Sequence, residues 1–418
     1  MKLLWLCNIL PGAVREKITG TAGSGLWMDH VLSDLRLVED IHIHILCPYP
    51  AETEGWLDAR CSFATFRSKL PHIYMPELVP RFQEELKSFQ PDVIHSWGVE
   101  YAHTLAMVNA AEKEKYLSHM AISIQGLCGH IAKHYTEGIP YKVSHCFTFR
   151  DFVRQDNIVQ QQKKFCRRGE HERLALEKVE HTIGRTQWDE ACTMQINPGR
   201  NFHVCRETLR QEFYTGEWDY RNCRKHSVFT SGCGYPVKGF HRLLEAFALV
   251  RKVYPDAMIT VPGQSVFQGN PIRENSYQRY LKRKIRELGL ENNIQFLGSL
   301  SAEEMKRAYL EANVFALPST IENSPNSLGE AMLLGVPCVA ADVGGVTTMM
   351  THEKEGFVYQ STAPYMLAHY ICKVFAMEDA AASMGQNARA HALQTHDPEK
   401  NLRDLLDIYQ TLAQSREE

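Results

Sequence analysis

Short apolar runs with strand character alternate with longer segments of helical spacing along the chain, in two consecutive series. The first series has candidate strands at 3–9, 41–46, 93–95, 121–124 and 181–183, with helical patterns such as 26–37 and 78–89 between them. The second has candidate strands at 228–230, 257–261, 294–297, 314–317, 337–341 and 356–359, with helices at 240–253, 277–288, 302–311 and 330–334. Alternation of this kind predicts parallel βαβ units. Two such halves predict an α/β chain of two Rossmann-like domains, 1–205 and 206–395, facing each other across a cleft, with ligands beyond the carboxyl ends of the strands. Residues 198–224, with Pro, Gly, Asn and several charges, read as a linker. A last helix, 396–418, opens with Asp397 as N-cap and Pro398 at its first position, and Leu402, Leu405, Leu406, Tyr409 and Leu412 share one face.

Length and composition narrow the function class. The 418 residues fit two or three domains. A net charge of -3 gives no electrostatic case for nucleic acid. The 12 cysteines include no C-x-x-C pair, which predicts reduced thiols and a cytoplasmic protein. The apolar start reads as a first buried strand rather than a signal segment, and no run of about 20 apolar residues is present, so any membrane contact would be peripheral.

Two stretches carry chemistry. Residues 318–332 place Glu322 in a loop after a strand and Glu330 at a helix start, with seven residues between them. Ser324, Pro325, Asn326, Ser327 and Gly329 bring free backbone N–H groups to that helix start, an anion site by its unsatisfied amides and dipole. Two carboxylates beside it suit sugar hydroxyls. An isolated Glu pair of this spacing would read as a helix cap and a solvated charge. The second stretch runs from strand 228–230 through Ser231, Gly232 and Gly234 to Lys238-Gly239 and an amphipathic helix. A glycine-rich turn with a Lys before a helix is a phosphate cradle, although a Lys there is also ordinary solvated surface.

Together these stretches resemble the Glu-x7-Glu motif and the phosphate-binding Lys of retaining glycosyltransferases of the GT-B fold, most closely glycosyltransferase family four. The resemblance implies that Glu322 contacts the transferred sugar, that Glu330 holds the ribose hydroxyls, and that the amides of Asn326, Ser327 and Leu328 hold the diphosphate with Lys238 and Gly234. It implies a donor contact for Gly23 and Gly25 in the loop after the first strand, and an acceptor-side role for His95 in the run Asp92-Val93-Ile94-His95. The turns at 263–264, 297–299 and 343–346 match those lining the nucleotide pocket, and the final helix would cross back to the first domain.

Two departures stand out. Cys233 occupies a position where many relatives have a second phosphate-clamping Arg; Arg185 is a substitute, or else a structural Arg paired with Asp189 or Glu190. Gln125 stands where many relatives have a His; it can hydrogen-bond a sugar hydroxyl but cannot act as acid or base near pH 7. Cys128, His130 and His134 have partial zinc-ligand spacing without an evident fourth ligand, and no metal site is expected. The basic run 163–168 suits either a solvated helix face or contact with anionic lipid or a lipid-linked acceptor.

The function implied is retaining transfer from a nucleotide diphosphate sugar to a glycan or lipid-linked acceptor, in polysaccharide or glycoconjugate synthesis, at the inner face of a membrane or free of it. Glu322, Lys238 and Gln125 would be catalytic, and the nucleotide sugar a co-substrate, with no cofactor or metal. An epimerase of the same fold, a phosphorylase and a non-catalytic nucleotide-sugar-binding protein are the alternatives.

Overall fold

The first strand, β1 (Lys2–Cys7), is buried at every residue but Lys2 and pairs in parallel on both sides, as its apolar run requires. The computed structural model that shows this describes residues 1–21 and 27–415. Its first sheet contains β2 (His42–Pro48), β3 (Glu54–Asp58), β4 (Cys61–Phe66), β5 (Val93–Trp97), β6 (Met120–Ser123), β7 (His181–Gly184) and β8 (Asn201–Val204) besides β1. The order is β3-β4-β2-β1-β5-β6-β7-β8, parallel except for the β3–β4 hairpin. The second sheet contains β9 (Arg224–Phe229), β10 (Met258–Val261), β11 (Ile294–Phe296), β12 (Ala312–Leu317), β13 (Cys338–Asp342) and β14 (Phe357–Gln360). Its order, β11-β10-β9-β12-β13-β14, is parallel throughout. Chain direction across each sheet reverses once, between β1 and β5 and between β9 and β12. In doubly wound sheets these switch points open a crevice at the strand ends.

The chain divides into two units. One comprises Met1–His130, Lys164–Thr208 and His396–Glu418; the other comprises Ile131–Lys163 and Leu209–Thr395. Residues 131–163 thus differ from the sequence reading, which kept them in a continuous 1–205 domain. Polar anchors hold them to the second unit: Arg242 donates to Glu137 Oε1 at 2.9 Å, and the Ser276 amide donates to Asp151 Oδ2 at 2.7 Å.

The C-terminal helix, Pro398–Gln414, is capped by Asp397, which accepts from the Lys400 amide at 3.0 Å. Its Leu405, Ile408, Tyr409 and Leu412 enter the core formed by β1, β2 and their helices. In the second unit the helix Phe240–Val253 buries Phe240, Leu243, Leu244, Phe247 and Val250, a spacing that fits one helical face. No described helix is long and apolar enough to cross a membrane, and all 12 cysteines are free thiols.

Candidate donor site

The strands flanking the second unit's switch point deliver the residues singled out by sequence. After β9 the chain turns through Gly232 and Gly234, where an added Cβ would meet nothing within 4 Å, so the turn lies open. It closes with Pro236–Lys238 and Gly239, whose φ of +65° is left-handed. A Cβ at Gly239 would stand 1.8 Å from the Pro318 carbonyl oxygen, so only glycine lets the turn after β9 touch the loop after β12. The Thr320 amide donates to the Val237 carbonyl at 2.8 Å and fixes that contact. On its other side, the Glu322 carbonyl accepts from the Gly345 amide at 3.2 Å, and a Cβ on Gly344 would overlap it. Glu322 is thereby clamped at the ends of three adjacent strands, β9, β12 and β13.

Its side chain meets Lys238. The Nζ–Oε1 distance is 2.7 Å, and the Ser319 hydroxyl donates to the same oxygen at 2.7 Å. Burial acts to lower the Lys238 pKa, but the Glu322 carboxylate outweighs it and the net shift is upward, so Lys238 is a fixed cation.

The helix Asn326–Leu333 begins at Pro325 with no side-chain cap. The amides of Asn326 and Ser327 have no acceptor among the described residues, which leaves two N–H groups at the positive end of the helix dipole. The Leu328 amide, expected to point at a ligand, instead donates to the Pro325 carbonyl at 2.9 Å, because the first turn tightens there. Glu330 follows on the same helix and is only 5% exposed. Burial pushes its pKa up to about 7 against the opposing pull of Arg210, whose Nε donates to Oε1 at 2.8 Å. The Tyr309 hydroxyl donates to the Ser327 carbonyl at 2.9 Å. Arg210, Tyr309 and Ser319 were not anticipated from sequence. Cys233 is buried, with its thiol pushed up to about 11, and stays uncharged at neutral pH.

The first unit treats its candidates differently. His95 is 0% exposed, and both ring nitrogens are engaged: Nδ1 with the Tyr409 hydroxyl and Nε2 with Ser123 Oγ, each at 2.7 Å. Burial takes its pKa down to about 3, so it is neutral and structural rather than presented to an acceptor. Arg185 is also no phosphate clamp here: its guanidinium pairs with Glu207, both buried, and reaches the Ile124 and Gln125 carbonyls at 3.3 and 3.4 Å. The pairing with Asp189 exists only through the Arg185 backbone amide, at 2.9 Å. Gln125 is partly exposed and lines a pocket with Ser123, Arg185, and Leu402 and Leu405 of the C-terminal helix. Gly23 and Gly25 lie outside the described residues. The zinc spacing disperses: His130 packs edge-on to Trp188, and His134 pairs with Glu137 at 2.7 Å. Among the described residues no group of three metal-ligating side chains is found.

A family model described as glycosyl transferases group 1 matches residues 222–391, which contain Lys238, Glu322 and Glu330. A D-inositol 3-phosphate glycosyltransferase of Corynebacterium urealyticum is 28% identical over 183 residues, 44% of this chain and 42% of that protein. A GDP-mannose-dependent alpha-(1-6)-phosphatidylinositol monomannoside mannosyltransferase of Mycobacterium tuberculosis is 25% identical over 193 residues, 44% of this chain and 46% of its own. The chain therefore spans less than half the length of these curated relatives. Among solved structures, sucrose-phosphate synthase from Thermosynechococcus elongatus superposes with a TM-score of 0.69 at 16% identity, covering 99% of both chains. Anabaena Alr3699/HepE in complex with UDP and glucose gives 0.67 at 17% identity, covering 98% of this chain and 99% of that one. Residues 222–391 thus resemble the glycosyl transferases group 1 family, in a chain that shares the double Rossmann-like fold of these solved structures.

Proposed function

We propose that the chain transfers a sugar from a nucleotide diphosphate sugar to a glycan or lipid-linked acceptor, with retention at the anomeric carbon. The observation that carries this reading is the clamp of Glu322 against Lys238 in the loop that leads into the helix start with the two unpaired amides of Asn326 and Ser327. A diphosphate placed there meets a fixed cation and a helix start, the means by which leaving-group charge is stabilised. Glu322 orients the sugar and Glu330 accepts from the ribose hydroxyls. In the step proposed, the bond from the anomeric carbon to the phosphate oxygen breaks. The acceptor oxygen bonds to that carbon on the same face, and its proton passes to the leaving phosphate. No protein base is required, which agrees with the Gln at position 125. Lys238 and the backbone amides supply the positive charge, so the nucleotide sugar is the sole co-substrate and neither metal nor cofactor takes part.

The names of two relatives support an acceptor of phosphorylated or lipid-linked type, since one acts on inositol 3-phosphate and the other on a phosphatidylinositol mannoside. HepE in complex with UDP-glucose supports a uridine donor and the mannosyltransferase a guanosine one. The test is nucleotide release from a panel of UDP- and GDP-sugars. Slow release from one donor, lost in Lys238→Ala, is expected. Binding without turnover in the presence of any glycan or lipid acceptor would instead favour a non-catalytic binding protein.

A further inference from the structure

The short helix Phe149–Arg154 is anchored on one side and bare on the other. Asp151, wholly buried, takes the Ser276 amide at 2.7 Å and its own helix cap through Thr148. At 100° per residue, Phe149 and Val153 lie about 160° from Asp151 and Phe152 about 100°. These three side chains are 66%, 64% and 73% exposed. Ile272, in the turn Pro271–Arg273 that packs on this helix, is 58% exposed. Tyr141 and Phe147, just before the helix, are exposed as well. Large apolar side chains gathered on one face mark an interaction surface.

The charges around them are predominantly positive. Lys142, Arg154 and Arg273 are exposed and have no carboxylate partner among the described residues. Next to them a groove of about 390 Å³ is lined by Tyr141, Val143 and Tyr280 with Lys142, Arg279 and Arg283, and by no acidic residue. Arg279 and Arg283 also reach Glu274 and Glu287, at 3.4 and 3.3 Å. Aromatic side chains flanked by cations suit the boundary between lipid headgroups and acyl chains, where rings insert and cations meet phosphate. A second copy of the chain suits this face less well, because a two-fold interface would set the same cations against each other.

We propose that this face docks on an anionic lipid bilayer, with Phe149, Phe152, Val153 and Ile272 entering the headgroup region and Lys142, Arg154 and Arg273 meeting lipid phosphate. The surface does not depend on the donor chemistry. It places membrane contact here rather than at the basic run 163–168, where Arg168 is occupied by the Glu100 carbonyl at 2.6 Å and the ring of Phe165.

The test is co-sedimentation of the full chain with vesicles of phosphatidylcholine alone and with about one-fifth phosphatidylglycerol. The wild type is expected to pellet with the anionic vesicles and to be released by salt. The double variant Phe149→Ser/Phe152→Ser is expected to bind at least about tenfold more weakly. The triple variant Lys142→Glu/Arg154→Glu/Arg273→Glu is expected to lose the preference for anionic lipid. All five substituted residues are exposed, so unchanged thermal unfolding verifies the fold of each variant. A wild type that stays in solution with both vesicle types, or a serine variant that pellets as well as the wild type, overturns the proposal. A concentration-dependent dimer that is lost in the serine variant also overturns it, and assigns the face to a second copy of the chain.

Discussion

Both units build a parallel sheet with a switch point, yet their strand ends differ. In the second unit Lys238 and Arg210 are about a quarter exposed, at 28% and 25%, and each faces a carboxylate expected to hold donor. In the first unit Arg185 and Glu207 are 8% and 7% exposed, and they satisfy each other. His95 answers to Tyr409 and Ser123, and Glu172 accepts the Cys128 and Gly129 amides at 2.6 and 3.2 Å. The difference lies in the cations: Lys238 and Arg210 stay partly open whereas Arg185 is covered, although the carboxylates Glu330 and Glu207 are equally buried, at 7% each. Where a distant segment supplies a buried partner, a strand-end polar residue becomes part of the core.

The comparison can be broken most decisively at Arg185. Arg185→Ala leaves Glu207 buried and unpaired, and is expected to cost about 3–5 kcal/mol of stability. Chemical denaturation should show that loss, while nucleotide affinity in the folded fraction stays at the wild-type value. Lys238→Ala should do the reverse. It is expected to lower the transfer rate about 10²- to 10³-fold with little change in the denaturation midpoint, as for loss of a charge-stabilising donor.

Glu330 sharpens the contrast through pH. Glu330→Ala is expected to weaken nucleotide binding more than about tenfold, the equivalent of roughly 1.5–3 kcal/mol for a charged hydrogen bond. In the proposed role the ionised carboxylate accepts ribose hydroxyls, so affinity in the wild type should rise as pH climbs through about 7, and Glu330→Gln should flatten that rise. The sign for stability is opposite. The folded-state pKa lies above the ordinary 4.5, so this group favours folding below pH 4.5 and loses that contribution as pH passes about 7. Calorimetric titration and thermal unfolding across pH 5–9 separate the two trends.

In the first unit, Tyr409→Phe removes the hydroxyl that accepts from the Trp5 indole at 3.1 Å and bonds His95 at 2.7 Å. A stability loss of about 1–3 kcal/mol is expected, with nucleotide binding unchanged. The smallest effect belongs to Cys233→Ser. Because the thiol is uncharged at neutral pH, nucleotide affinity should move by less than about threefold, which is below 1 kcal/mol.

What could be read in the sequence follows the same division. The placement of Lys238, Glu322 and Glu330 was legible because each rides on a local strand–turn–helix pattern, and the switch-point topology then brings the turns after β9 and β12 together. Arg210 was not, since it lies in a stretch that reads as linker and acquires its role only by packing against Glu330, 120 residues away. His95 misled for a related reason. A His at a strand end has the same local signature whether it is open or covered, and its cover is Tyr409, 314 residues on. β3 and β8 escaped notice because they are short edge strands. Burial along β3 and β8 follows no clear apolar alternation.

The central claim is that donor is held by the second unit's strand ends. The most direct test is calorimetric titration of nucleotide diphosphates and their sugars into wild type, Lys238→Ala and Arg185→Ala, each verified as folded. The account expects one nucleotide to bind wild type and Arg185→Ala alike and to lose most of its affinity in Lys238→Ala. Binding that survives in Lys238→Ala and disappears in folded Arg185→Ala would contradict it.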